Sequence, residues 1–207
     1  ASVPAAGTSR AWIILSVAVS FVLFQFFLQM TSGEMIDGLM KSFALNALGG
    51  GFLASTYYYI YVSLQTPAGV LADRYGPRLL LTVGAVIVAI GCVIFATAGH
   101  LGVAILGRLL MGTGAACSFV GSLYLIGTWS HPHQFPIMVG IVETMGMVGS
   151  MVGGYIVART VVGIGWRDCM LFAALIALVL AVLLWTIVRN RPADVRPLPP
   201  RENSHIL

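Results

Sequence analysis

Long apolar runs separated by short polar connections make up most of this 207-residue chain. Each run has about 20 residues or more, the length that an α-helix needs to cross a lipid bilayer. The pattern therefore predicts an all-α, polytopic membrane protein with six transmembrane helices. Six helices divide into two sets of three, and we expect two inverted three-helix repeats because this is a recurring transporter design. The six predicted helices cover about residues 11–30, 48–68, 79–98, 103–129, 137–157 and 169–188.

Composition supports a bundle that faces lipid as well as its own core. The chain is 58% hydrophobic and 9% charged, whereas a soluble domain carries roughly 25% charged residues. The predicted organisation is an N-terminal tail at 1–10, a transmembrane bundle at 11–188 and a basic, proline-rich linker or tail at 189–207. The expected first partner is the lipid bilayer.

The positive charges predict the orientation of the bundle. Lysine and arginine accumulate in cytoplasmic loops, so the net charge of +4 indicates topology and gives no reason to expect nucleic acid. Both termini are therefore expected in the cytoplasm, in a bacterial inner membrane. The side assigned to the cytoplasm carries Arg10, Arg74, Arg78, Arg189, Arg191, Arg196 and Arg201. The opposite side carries Lys41, Arg159 and Arg167.

Residues 69–78 form a charged hinge between the second and third apolar runs. Asp73 is placed to pair with Arg74 or Arg78, or to face a helix N-terminus, where negative charge is stabilised. Gly76 permits a backbone turn that other residues resist. The simpler interpretation is a solvated hairpin with a positive-inside signal.

Arg108 is the one basic residue inside a predicted helix. A charge within a membrane helix is costly and usually faces the bundle interior. It either ties helices together through amide or carbonyl partners, or serves a substrate-anion or proton-coupling site. Gln25 and Gln29 of the first helix reach a similar depth and are its candidate partners.

Glu143 is the one carboxylate inside a predicted helix. A carboxyl group in a membrane bundle can take up and release a proton, as a proton-coupled carrier requires. The alternative is a hydrated residue that lines the cytoplasmic mouth. Arg108 and Glu143 lie toward opposite ends of their helices, so a direct salt bridge between them is not expected.

The second helix presents Tyr58, Tyr61 and Gln65 on one face, because residues three and four apart align on a helix. That face is a candidate wall of a polar cavity. Its tyrosines could instead pack between helices or against lipid.

The fifth helix carries small residues at four-residue intervals, which let membrane helices approach closely. Close packing is the favoured interpretation, and a hinge for domain movement is compatible with it. The residues are Gly146, Ser150 and Gly154, and separately Gly149 and Gly153.

Two motifs resemble the major facilitator superfamily. The signature of that family between helices 2 and 3 is matched by Gly69, Leu71, Asp73, Arg74, Gly76 and Arg78. Its helix 4 element is matched by Arg108, Gly112 and Gly114. The pair Trp166-Arg167 at the start of the sixth helix is also typical. Gly112 and Gly114 are accordingly expected to support helix packing.

The resemblance implies the N-terminal six-helix half of a secondary transporter that moves a small solute by alternating access, coupled to protons. The hinge would gate the cytoplasmic side, with Gly69 and Asp73 meeting a C-terminal six-helix half. That half would come from the same polypeptide, a separate chain or a second copy. No cofactor is expected. His131 and His133 are interpreted as solvated loop residues and not as metal ligands.

Two other classes remain open: a non-transporting membrane scaffold or sensor, and an intramembrane enzyme. An enzyme would need a nucleophile and a base facing each other in the bundle, and no histidine lies in a predicted helix. The chain is therefore predicted not to be an enzyme.

Overall fold

The computed structural model describes residues 9–130 and 133–190, and this part of the chain is helical apart from short turns. The predicted tails lie outside the described residues except for 9–10 and 189–190, and His131 also lies outside them. Seven helices occur in the described part: α1 (Ser9–Glu34), α2 (Ile36–Phe43), α3 (Ala47–Tyr75), α4 (Pro77–Ala96), α5 (Leu101–Trp129), α6 (Phe135–Ile164) and α7 (Trp166–Ile187).

The six long helices correspond to the six predicted runs. Within the described residues, five of them are long and apolar enough to cross a membrane. The exception is α3, which has 29 residues but is made less apolar by its tyrosines, glycines and Gln65. The short α2 lies in a stretch predicted as a polar connection, and its buried Leu39 anchors it to the bundle.

Two predicted connections are in fact helical. The hinge at 69–78 was expected as a loop, but α3 continues through Asp73 and Arg74 to Tyr75, and only Gly76 separates it from α4. Likewise α6 continues past the predicted end of its apolar run, and only Gly165 separates it from α7. Apolarity marks the thickness of the membrane, whereas a helix continues until its hydrogen-bond ladder is broken.

The close packing of α4 against α5 rests on glycines spaced seven residues apart. A Cβ at Gly91 would lie 2.9 Å from the carbonyl oxygen of Gly107, and a Cβ at Gly84 would lie 3.0 Å from that of Gly114. Since these backbones touch, only glycine fits, as is typical of close membrane-helix pairs. Gly112 faces the other way, where its Cβ would lie 2.6 Å from the Tyr57 carbonyl oxygen of α3.

The small residues of α6 receive side chains of α1. A Cβ at Gly146 would lie 2.5 Å from the Phe26 ring, and a Cβ at Gly153 would lie 2.5 Å from the Phe27 ring. Contacts at the other glycines are looser: 3.4 Å from Gly149 to Leu23, and 3.5 Å from Gly154 to Glu34. The Ser150 hydroxyl donates to the Gly146 carbonyl oxygen at 3.0 Å, within its own helix. The tight positions are therefore seven residues apart rather than four.

Candidate functional site

Arg108 lies in the interior of the bundle, two turns into α5, and is 1% exposed. Its guanidinium donates to the carbonyl oxygen of Leu28 in α1 at 3.4 Å and to that of Ala54 in α3 at 3.2 Å. No carboxylate among the described residues neutralises it. Arg108 thus joins three helices through backbone oxygens, the first of the two roles considered from the sequence.

Tyr57 provides the remaining wall around this arginine. The guanidinium carbon lies 4.7 Å from the centre of the Tyr57 ring, a cation–π arrangement. Tyr57 is fully buried, and its hydroxyl donates to the Gln25 carbonyl oxygen at 3.3 Å. The sequence pattern predicts Tyr58 and Tyr61 at the site, whereas the structure places Tyr57 against Arg108. Tyr57 shares a face with Tyr61, one turn later in the helix.

Three polar atoms in this cluster have no hydrogen-bond partner within the described residues: Nε of Arg108, and both Nε2 and Oε1 of Gln25. Gln25 is 1% exposed and lies beside the hydroxyls of Tyr57 and Tyr61. Leaving a buried polar group unsatisfied costs about 1–3 kcal/mol. These atoms mark the polar centre of the bundle, beside the Arg108 guanidinium and the tyrosine hydroxyls.

A ladder of aromatic rings extends from Tyr57 along α3. Tyr61 stacks on Tyr57 with ring centres 6.2 Å apart, and Tyr58 meets the Tyr57 ring edge-on at 5.8 Å. Tyr61 also lies near Gln65 and within electrostatic range of Glu143, which is half-buried on α6. Tyr61 therefore extends the aromatic group around Arg108, and Arg108 and Glu143 form no ion pair among the described residues.

A cavity of about 590 Å³ opens between α1, α3 and α6. It contains Gln29 and Tyr58, two of the predicted site residues, and Tyr58 is also within electrostatic range of Arg108. The methionines of the lining were not predictable from the sequence, because a methionine in an apolar helix indicates a cavity only once the orientation of the helix is known. The lining consists of Phe26, Gln29, Met30, Glu34, Tyr58, Met147, Ser150, Met151, Gly154 and Tyr155.

The hinge motif is remote from this cavity and makes different contacts from those expected. Asp73 is exposed, and its predicted pairing with Arg74 or Arg78 is not formed among the described residues. Arg78 instead donates from Nε and Nη2 to the Trp185 carbonyl oxygen in α7, at 2.9 and 2.5 Å. Arg74 lies over the neighbouring Tyr75 ring at 5.4 Å. Among the residues that the structure describes, no side chain comes within 4 Å of where a Gly69 Cβ would stand.

Metal ligands do not cluster in the part of the chain that the structure describes: no group of three His, Cys, Asp or Glu residues could hold an ion there. The chemistry available at the site is therefore that of Arg108, Gln25, the tyrosines and Glu143.

Comparison with known proteins identifies the family. The family model described as Major Facilitator Superfamily matches residues 14–206, so the resemblance predicted from the motifs is confirmed. The chain is 24% identical over 84% of its length to the uncharacterized transporter YybO of Bacillus subtilis, covering 40% of that protein. It is 26% identical over 75% of its length to the B. subtilis hexuronate transporter, covering 37%.

A third relative is the gallate transporter of Pseudomonas putida, 26% identical over 92% of this chain and 42% of that protein. Among solved structures, a bacterial homologue of the lysosomal transporter Spinster matches with a TM-score of 0.79 at 17% identity, covering 95% of this chain and 47% of that one. The proton:xylose symporter XylE matches with a TM-score of 0.77 at 19% identity, covering 88% and 46%. The chain thus spans less than half of these relatives.

Proposed function

The chain belongs to the Major Facilitator Superfamily, and from that premise we propose that it forms the N-terminal half of a secondary transporter for a small organic anion. In this design two six-helix bundles rock around a central site. The proposed partner is a C-terminal six-helix half, from the same polypeptide, a separate chain or a second copy. Lipid covers the remaining apolar surface.

The observation that carries the proposal is the charge of Arg108. It is enclosed in the bundle without a neutralising carboxylate among the described residues. A charge in a low-dielectric interior acts over a longer range than one in water. Tyr58 lies near Arg108 and also lines the cavity. The Arg108 charge therefore acts on the cavity and favours an anion on the Tyr58 side, whereas the Glu34 carboxylate in the lining opposes one on its own side.

The enclosure of Arg108 defines how it acts. At 1% exposure its guanidinium is covered, so we assign it a positioning and electrostatic role rather than direct contact with substrate in this conformation. The relatives support the anionic class, since hexuronate and gallate are both carboxylates.

We further propose that Glu143 carries the coupling proton, which makes the carrier a proton symporter. Glu143 is half-buried and close to Tyr61, which reaches the Gln25 and Arg108 cluster. Protonation removes one negative charge from a bundle that carries the Arg108 charge, and so changes the electrostatic balance that an entering anion meets.

We place the carrier in a bacterial inner membrane with both termini and the α3–α4 turn in the cytoplasm. The support is the asymmetry of lysine and arginine between the two sides. In that orientation Gly69 and Asp73 lie on the cytoplasmic face, where exposed Asp73 can meet the partner bundle as a gate.

The test uses the complete carrier reconstituted in liposomes, with uptake of radiolabelled carboxylates measured with and without a pH gradient. We expect Arg108→Leu to lower uptake at least tenfold, while Arg189→Gln, which changes an exposed arginine, leaves it unchanged. Because Arg108 also joins helices, Arg108→Lys is included: it keeps the charge and should retain part of the activity. Wild-type uptake in a folded Arg108→Leu variant would contradict the proposal.

A second experiment isolates proton coupling. We expect Glu143→Gln to abolish accumulation driven by a pH gradient but to retain exchange of labelled for unlabelled substrate. Asp168→Asn, at an exposed acid of α7, serves as the control. Gradient-driven accumulation that survives in Glu143→Gln would rule out Glu143 as the proton carrier and leave the anion assignment intact.

A further inference from the structure

The cavity between α1, α3 and α6 has a lining whose chemistry goes beyond a general anion site. Three of its side chains are methionines: Met30 on α1, and Met147 and Met151 one turn apart on α6. Met147 is 66% exposed and Met151 is 77% exposed, and both side chains line the cavity. Thioether sulfur is polarizable and makes favourable contacts with aromatic rings.

Aromatic side chains complete the apolar part of this lining. Phe26, Tyr58 and Tyr155 contribute rings from three different helices. The Phe26 ring occupies the space that a Cβ at Gly146 would need, only 2.5 Å away, so its position is set by that close packing. Rings presented by separate helices suit a flat ligand, since aromatic pairs prefer offset-stacked or edge-to-face contacts.

Apolar groups make up most of the cavity lining. The Ser150 hydroxyl donates to the Gly146 carbonyl oxygen and can only accept from a ligand, which leaves the Gln29 amide and the tyrosine hydroxyls as the neutral groups that can donate. A sugar acid has a hydroxyl on nearly every carbon, and each one buried without a partner is unfavourable. Glu34 lies near Gly154 at one end of the cavity, where its negative charge opposes a second carboxylate on the ligand.

We infer that the transported anion is an aromatic monocarboxylate, selected by the methionine and aromatic lining of this cavity. This inference rests on the proposed anion transport and adds the chemical class of the substrate, an aromatic ring that carries one carboxylate. The positive field of Arg108 attracts the carboxylate, the rings and thioethers contact the body, and Glu34 excludes dicarboxylates.

The first test compares benzoate, glucuronate and phthalate as ligands of the purified complete carrier, by equilibrium binding and by liposome uptake. Benzoate should bind at least tenfold more tightly than glucuronate or phthalate. If glucuronate binds as tightly as benzoate, this inference is wrong but the proposed transport of an organic anion is not contradicted. If none of the three is bound or transported while a neutral or cationic solute is, both the inference and the proposed function are wrong.

A matched pair of variants tests the lining itself. Met147→Gln retains side-chain length but adds an amide, and should raise the KM for benzoate about three- to tenfold with little change in kcat. Met145→Gln changes an exposed methionine of the same helix that is outside the lining, and should leave KM unchanged. Equal KM values in the two variants, both folded by size-exclusion chromatography, would remove Met147 from substrate selection and overturn the inference.

Discussion

Two turns in this bundle have nearly the same backbone but different surroundings. Gly76 separates α3 from α4 with φ 84° and ψ 156°, and Gly165 separates α6 from α7 with φ 85° and ψ 160°. An arginine occupies the second position of the helix that follows each glycine: Arg78 in α4 and Arg167 in α7. The two turns therefore share a backbone conformation and an arginine position, as expected at corresponding points of two inverted three-helix repeats.

The two arginines act alike on the same helix pair. Arg78 donates to the Trp185 carbonyl oxygen near the end of α7, and Arg167 donates at 3.0 Å to the Ala98 carbonyl oxygen just beyond the end of α4. Each guanidinium also lies 4.3 Å from the centre of a tryptophan ring. At each end of the α4–α7 pair, an arginine of one helix therefore donates to a backbone carbonyl oxygen at the end of the other.

The surroundings differ because different parts of the chain cover the two turns. Asn190 covers Gly76, and its side-chain oxygen accepts the Arg78 backbone N–H at 3.0 Å. At Gly165, within the described residues and apart from its chain neighbours, no atom lies within 4 Å of where a Cβ would stand. Gly165 is therefore required by its backbone conformation alone, whereas Gly76 is required by its conformation and by the Asn190 side chain that lies against it.

The largest expected effect comes from Gly76→Ala. This φ and ψ combination is essentially restricted to glycine and costs other residues about 1–3 kcal/mol. The new Cβ would also lie 2.6 Å from Asn190, displacing a cap worth about 0.5–2 kcal/mol. Gly165→Ala should incur only the first cost, so its thermal midpoint in detergent should fall less than that of Gly76→Ala.

The control for this pair is Gly163→Ala, a glycine without positive φ and with nothing within 4 Å of its Cβ position. It should not lower the midpoint. A Gly165→Ala variant as unstable as Gly76→Ala would show that Asn190 contributes nothing to the α3–α4 turn.

The next effect concerns the two arginines. Arg78→Gln removes two N–H donors to one carbonyl and a cation–π contact with a ring on another helix. We expect a loss of about 1.5–3 kcal/mol. Arg167→Gln removes one such donor, and its ring partner Trp166 is on its own helix, so the loss should be about half.

Thermal melting of the two arginine variants, beside Arg74→Gln as the control, measures this difference. Arg74 is exposed and lies only over the neighbouring Tyr75 ring, so its substitution should have no effect. Equal losses for Arg78→Gln and Arg167→Gln would mean that the second donor and the cross-helix ring add no stability.

A smaller effect is expected from Asn190→Ala, which removes the cap on α4 at a cost of about 0.5–2 kcal/mol. In a double-mutant cycle with Gly76→Ala the two losses should not add, because both abolish the same contact. The cycle with Gly165→Ala should be additive within about 0.5 kcal/mol. Additivity in both cycles is the result that contradicts this account.

The smallest effect should follow from Trp166→Phe at the α6–α7 turn. The Trp166 Nε1–H donates to the Ser42 hydroxyl at 3.2 Å, and the ring packs against Phe43 and Phe95. Phenylalanine keeps most of the packing and loses one hydrogen bond, worth about 0.5–1.5 kcal/mol. Ser42→Ala should give a similar loss, and the double variant should lose no more than either single one.

The helices and their order were predictable, but their ends were not. Residues 69–75 and 158–164 were assigned to connections because the apolar runs end near them, yet both segments are helical. Helices α3 and α6 end only where Gly76 and Gly165 adopt positive φ. A sequence shows where glycines are, and the backbone conformation shows which of them end a helix.

The candidate site was predictable in part for a similar reason. Arg108 and Gln25 stand out because polar groups in apolar runs are rare. Which tyrosine meets Arg108 depends on the rotation of α3, and that rotation is set where Gly112 contacts the Tyr57 backbone. The tight positions of α6 also depend on helix rotation. The rings of Phe26 and Phe27 in α1 pack closely against Gly146 and Gly153, and less closely against the other glycines.

The sequence by itself determined the class of protein: long apolar runs make spanning helices, and two spaced motifs indicate the family. The tertiary structure alone decided the partners of the charged residues, since Arg108 meets Leu28 and Arg78 meets Trp185 across 80 and 107 positions of the chain. The physical reason is distance. Local pattern controls hydrogen bonds within a helix, whereas contacts between helices depend on rotation and close approach, which every packed side chain helps to set.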